Sequence, residues 1–262
     1  MKSVVSGFLV AFSLYSAIPV PQVNWEKKTM RWALSFLPLV GLLIGAAQWL
    51  WFGFCAKHGA AGLFYAVGAM LLPLVLSGGI HLDGFTDTCD ALCSHADREK
   101  KLQIMKDPHV GAFGPLWLAA FLLAETACFA QLYQKPALLP FALTGFALAR
   151  ALGGREIVAL PCAKESGLAH LFAEGSDKKA VAATLLLEAA VLFAAAVLWL
   201  RASPGGVGAV CVGALVLLAG YWRHGRLCRE VFGGITGDLA GFFISLAELF
   251  CLFFAAVGGL LL

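Results

Sequence analysis

The sequence predicts an all-α, polytopic transmembrane helix bundle, and three observations carry that prediction. Of 262 residues, 60% are hydrophobic and only 13% charged, whereas soluble domains carry about 25% charged residues. The apolar residues gather into blocks close to the ~20 residues that cross a bilayer. The basic residues alternate between the loops that separate those blocks.

Seven apolar blocks run approximately over residues 32–56, 60–79, 112–133, 137–160, 180–200, 206–221 and 239–262. Each is helical by elimination, because a backbone exposed to lipid must satisfy its own hydrogen bonds. The alternation of a membrane β-barrel is absent. A shorter apolar stretch, 4–18, precedes them and either spans or lies at the interface. It follows Lys2 as a signal peptide would, but Tyr15-Ser16-Ala17 is a poor cleavage site and Pro19-Val20-Pro21 follows at once, so it is expected to be retained. No internal repeat and no long linker interrupts the chain, which predicts one integral membrane catalytic domain over 1–262.

Charge sets the expected orientation. Lys27, Lys28 and Arg31 precede the first long block, and Arg98, Lys100, Lys101 and Lys106 follow the second. Arg150, Arg155, Lys164, Lys178 and Lys179 cluster around the end of the fourth, and Arg223, Arg226 and Arg229 precede the last. The intervening segments hold only Lys2, Lys57, Lys135 and Arg201. Basic loops face the cytoplasm, which places the C-terminus outside. The net charge of +3 is spread over short loops and does not describe a nucleic-acid partner; the partner it does imply is a lipid bilayer. The eight cysteines form no CxxC pair and mostly sit in apolar runs, as reduced packing residues do.

Three polar stretches carry chemistry. The first is Gly78-Gly79-Ile80-His81-Leu82-Asp83-Gly84-Phe85-Thr86-Asp87-Thr88-Cys89-Asp90. On a helix, Asp83, Asp87 and Asp90 fall within about 60° of one face. Three carboxylates so close repel unless a cation neutralises them, and an all-oxygen set suits Mg2+. The competing reading is a solvated stripe, which Ser94 and Asp97 would extend. His81 faces elsewhere, as a hydrogen-bonding or substrate residue. The second stretch holds Lys106 and Asp107 before Pro108, hence in a turn. The third, Gly233-Gly234-Ile235-Thr236-Gly237-Asp238, is rich in glycine before a helix and forms a candidate phosphate nest. Its alternative is a flexible loop with Thr236 or Asp238 as N-cap.

Arg150 and Lys164 lie on the same expected side and are candidates to hold an anionic substrate. Glu125, Glu156, Glu188 and Glu248 fall in or beside apolar blocks, where a carboxylate has a purpose. Together these features suit phosphoryl transfer from a diphosphate: Mg2+ neutralises a leaving group, basic residues hold phosphate oxygens, and a carboxylate takes a proton from an attacking hydroxyl.

At these residues the sequence resembles the cobalamin synthase, or adenosylcobinamide-GDP ribazoletransferase, family. The resemblance rests on the run Gly78–Asp90, the Met-Lys-Asp-Pro loop at Lys106 and Asp107, the run Gly233–Gly241 with the later Glu248, and the early Ile-Pro-Val-Pro at Ile18–Pro21. Lys164 stands where the family usually has arginine, and Ala169 and Ala91 replace glycines. The resemblance implies transfer of the phospho-adenosylcobinamide moiety of adenosylcobinamide-GDP to alpha-ribazole, or its 5′-phosphate, with release of GMP. It implies a multi-pass protein of the bacterial cytoplasmic (inner) membrane with its active site facing the cytoplasm. Self-association and association with other cobalamin-assembly enzymes are both compatible with it. Carried onto this sequence, it points to Asp90, His81, Lys106 and Asp107 as catalytic residues and to Asp83, Asp87, Asp90 and Asp238 as ligands of Mg2+. Arg150, Lys164, Gly233, Gly234, Thr236 and Gly237 are the expected substrate-binding residues. The acid spacing also resembles that of CDP-alcohol phosphotransferases, but Phe85-Thr86-Asp87 departs from their pattern. A transporter would instead place its acids at mid-membrane, often in a repeated architecture.

Overall fold

The computed structural model describes residues 2–201, 203–260 and 262; the side chains of Lys2, Lys27 and Lys28, which contribute to the charge pattern, lie outside the described residues. In chain order the helices are α1 (Lys2–Tyr15), α2 (Lys27–Met30), α3 (Leu37–Lys57), α4 (Gly62–Ser77), α5 (Ile80–Cys93), α6 (Arg98–Ile104), α7 (Phe113–Gln134), α8 (Leu139–Ala159), α9 (Leu168–Gly175), α10 (Lys178–Trp199), α11 (Pro204–Leu227) and α12 (Gly237–Leu260). Turns of 3-10 helix lead into α3 and α8, and a π-helical turn, Cys228–Phe232, extends α11. Six of these helical segments are long and apolar enough to cross a membrane, and α4 with α5 makes a seventh if that bent pair is counted as one span. The all-α bundle of about seven spans with a short N-terminal helix is therefore the fold.

The central helix is α8. Of its most apolar stretch 83% is buried, against 22% for α10, and it packs on α3, α10 and α12. Lipid tails are as apolar as leucine, so helices in a bilayer associate through close packing rather than exclusion of water. Gly41 and Gly45, four residues apart on α3, serve that packing. A Cβ on Gly45 would lie 2.7 Å from the Leu143 carbonyl oxygen, and one on Gly41 would press on the backbone of Phe146 and Ala147.

The loops sort into two ends. At one end Ala17 N–H donates to Leu76 O at 2.8 Å, Arg31 pairs with Asp177 at 2.9 Å, and Arg98 donates to Glu230 O at 3.3 Å. There too Lys164 donates to Leu102 O at 3.0 Å, and Cys162 and Ile235 form a parallel bridge. At the other end the Tyr133 hydroxyl donates to Ala60 O at 3.1 Å, and Gly259 lies against Lys135. These groups match the division that the basic residues make. The short helix α1 joins the first end, where it packs chiefly on α2 and the turn before α3.

Two boundaries differ from the sequence reading. The block over 206–221 continues as helix to Leu227, because Arg226 stacks on the Trp222 ring and pairs with Glu230 one turn on. The block over 60–79 ends at Ser77, and α5 leaves it at 96°. All eight cysteines are free.

Candidate active site

The acidic helix α5 begins where the chain breaks. Gly78 and Gly79 have φ of 66° and 76°, left-handed values that glycine adopts without steric cost. They end α4 and turn the chain into α5. Asp83 is exposed and Asp87 half-buried on that helix. Asp87 lies within electrostatic reach of Asp83, Asp238 and Asp90. Asp238 reaches the group because α5 and α12 cross at glycines. A Cβ on Gly84 would stand 2.8 Å from the Asp238 Cα, and one on Gly241 would stand 3.2 Å from the His81 Cα.

The N-cap of α12 is Thr236. Its hydroxyl accepts the Leu239 N–H at 3.2 Å, so Asp238 in the first turn is free of that role. Gly233 and Gly234 shape the approach. Gly233 has φ of 80° and lies against the Arg98 guanidinium, while Gly234 passes so close to residues 161–163 that no side chain fits. Ile235 N–H then donates to Pro161 O at 2.8 Å and Ala163 N–H to Ile235 O at 3.0 Å. These two glycines thus pair the loop with the chain that carries Lys164. Gly237 faces open space.

Asp90 is placed differently from its neighbours. It is buried, and its two oxygens accept backbone N–H groups of Gly111 at 2.9 Å, Phe113 at 3.0 Å and Gly114 at 2.9 Å. Its carboxylate holds the first turn of α7, where unpaired N–H groups and a positive dipole end favour an anion.

Basic residues come from two loops. Lys164 lies near Lys106 and Asp238, and burial, then the Lys106 ammonium, pulls its own ammonium below the ordinary lysine range against the opposing pull of Asp238. Lys106 and Asp107 are exposed in the turn after α6. The Asp107 carboxylate accepts the His109 N–H at 2.9 Å and pairs with the His109 ring at 2.8 Å. These bonds hold Asp107 below the usual carboxylate range.

His81 and Arg150 are not with the exposed acids. Arg150 is 1% exposed; it donates to Phe146 O at 2.9 Å and forms a buried ion pair with Glu248. This differs from the substrate clamp expected of it: the fourth block carries its arginine into the bundle, where Glu248 neutralises it. His81 is buried, stacks on Tyr15 with ring centres 5.9 Å apart and accepts from Arg150 at 3.4 Å. Glu156 pairs with His224 at 2.8 Å, and both are buried.

Sequence reasoning missed the roles of Gly84, His109 and His224. Gly84 stood inside the aspartate run, and its lack of a side chain was the available signal. His109 stands two residues past Asp107 and offered only proximity; no signal in the sequence paired His224 with Glu156.

Asp83, Asp87 and Asp238 make an all-oxygen donor set whose charge exceeds that of the neighbouring Lys164, which fits a hard divalent cation. Among the described residues no three His, Cys, Asp or Glu side chains already stand close enough to hold an ion.

A relative named adenosylcobinamide-GDP ribazoletransferase, from Lachnoclostridium phytofermentans, is 36% identical over 92% of this chain and 89% of its own length. Proteins of the same name from Desulfitobacterium hafniense and Geotalea daltonii are each 34% identical, over 92% and 96% of this chain and 92% and 98% of their own. No solved structure matches. The model of the cobalamin-5-phosphate synthase family matches residues 7–256, a range that takes in every acidic and glycine-rich stretch described above. With its aspartate helix, its Lys106 loop and its capped glycine turn inside that match, the chain belongs to the cobalamin-5-phosphate synthase family.

Proposed function

We propose that the protein completes the nucleotide loop of a corrinoid. It transfers the phospho-adenosylcobinamide moiety of adenosylcobinamide-GDP to alpha-ribazole or its 5′-phosphate and releases GMP. The observation that carries this reading is full-length similarity to relatives of that name, supported by Asp238 on α12, which lies near both Asp87 on α5 and Lys164.

The ribose hydroxyl attacks the phosphorus that bears the corrinoid aminopropanol. A new ribose-oxygen–phosphorus bond forms, the bridging oxygen–phosphorus bond to GMP breaks, and the hydroxyl proton goes to a carboxylate. We assign that proton to Asp107, a carboxylate exposed in the Lys106 turn. Asp83, Asp87 and Asp238 would hold Mg2+. When bound, the ion would supply charge neutralisation on the donor's diphosphate as GMP leaves. Lys106 and Lys164 bind phosphate oxygens, and an anion between them relieves the repulsion that Lys164 carries. The membrane is the bacterial cytoplasmic membrane, and the motif-bearing end faces the cytoplasm, as the positive-inside pattern supports. A reporter fused after Leu262 should then read as external.

The test is GMP release from adenosylcobinamide-GDP by the purified full-length protein in lipid nanodiscs. Release should require alpha-ribazole or its 5′-phosphate and should stop on chelation of divalent cations. Release without an acceptor would show hydrolysis instead of transfer, and release in excess chelator would remove the metal from the mechanism.

A further inference from the structure

Beside His81, five helices meet around a cavity of about 20 Å3. Its polar lining is Ser77 at the end of α4, His81 on α5, Glu125 on α7, Arg150 on α8, and Ser245 and Glu248 on α12. None of the six is more than 8% exposed. The Arg150–Glu248 ion pair and the contact between Arg150 and His81 link three of them. Glu125 has Glu248 as its charged neighbour.

Hydrogen-bonding capacity is left over. His81 Nε2, Arg150 Nε and Ser245 Oγ are buried and have no partner among the described residues. Each such atom carries the full penalty of its lost hydration if it stays unpaired. A bound water needs roughly 10–15 Å3 and two to four polar partners. The cavity provides the room, and its lining provides donors and acceptors of both kinds. An apolar occupant would leave the three atoms unpaired, and an anion would meet the Glu125 and Glu248 carboxyls.

We propose that the cavity binds one structural water, held by His81, Arg150, Ser245 and Glu125, and that this water positions the acidic helix. His81 precedes Asp83 by two residues and acts through α5, so it is a positioning residue. The water joins α5 to α7 and α12 at the point where α5 departs from the bundle axis.

A structure of the full-length protein in nanodiscs, at a resolution that shows ordered water, should contain density within hydrogen-bonding distance of His81 Nε2 and Ser245 Oγ. A clear map without that density overturns the proposal. Ser245→Ala gives an independent measure. In a dry cavity, loss of an unpaired hydroxyl would be neutral or stabilising. Here it should speed amide hydrogen exchange across residues 80–93 by roughly tenfold and lower kcat with little change in KM. Unchanged exchange in those residues counts against the water. Glu125→Gln keeps a hydrogen-bonding group and should restore the exchange protection that Glu125→Leu removes; identical behaviour of the two would exclude Glu125 as a ligand. Hydrogen exchange needs no substrate, so its outcome is separate from that of the proposed reaction.

Discussion

The Asp90 carboxylate receives the Gly114 backbone N–H at 2.9 Å, and through it the last turn of α5 is fixed to the first turn of α7. Asp90→Asn would turn an amide donor toward N–H groups that now find an acceptor. A hydrogen bond to a charged group contributes about 1.5–3 kcal/mol, so the variant should unfold at lower temperature and lose activity together. Its residual activity should keep the Mg2+ dependence of the parent. A variant of full thermal stability with an altered metal requirement would return Asp90 to the ligand set.

Gly84→Ala tests the crossing of α5 and α12. The added Cβ meets backbone atoms of Asp238 at 2.7 and 2.8 Å, and backbone does not swing aside as a side chain does. Separation of the helices should cost about 1–3 kcal/mol. It should lower kcat by roughly 100-fold, since misplacement by 1 Å suffices for that. Wild-type turnover would mean that the position of Asp238 against Asp83 and Asp87 is immaterial.

Asp238→Asn and Thr236→Ala separate chemistry from capping. Thr236 supplies the cap, so Thr236→Ala should reduce stability by ~1 kcal/mol. Asp238→Asn should leave stability nearly intact and abolish GMP release. Full activity of Asp238→Asn, with unchanged Mg2+ response, would take Asp238 out of the site.

Arg150 and Lys164 should behave in opposite ways. Arg150→Ala leaves Glu248 buried without its partner, a loss of about 3–5 kcal/mol, and thermal unfolding should detect it; the double replacement Arg150→Met with Glu248→Leu should recover most of that loss. Lys164→Ala should leave the fold intact and raise KM about tenfold or more, the value of one charge-assisted bond. Lys106→Ala should also lower kcat if it meets charge formed in the transition state. Unchanged kinetics in both lysine variants would refute the clamp.

Much of this was legible in the chain. Apolar blocks and basic loops gave the spans and the grouping of loops, because bilayer thickness and charge asymmetry act directly on composition. The steps of four and three put Asp83, Asp87 and Asp90 on one helix, as found. Spacing could not tell that Asp90 faces α7 while Asp83 faces out, because that depends on which helix lies opposite. The same gap hid Arg150: a charge at a block end reads as an anchor or a clamp until Glu248, 98 residues away, is brought against it. Gly78 and Gly79 read as part of a motif, and only their positive φ values disclose a turn of 96°.

That turn has a mechanical meaning. A helix of 14 residues is about 20 Å long and too short to bend appreciably. With the glycine corner at one end and the Asp90 tether at the other, α5 is a beam resting on two supports. Asp83 and Asp87 lie along its span and have no freedom of their own; a displacement at either support moves both by a fixed proportion. Faults introduced at Gly79 or Gly114, neither of which carries a functional group, should therefore reach the aspartates in that proportion, whereas changes on the outward side of the beam that spare Asp83 and Asp87 should be tolerated.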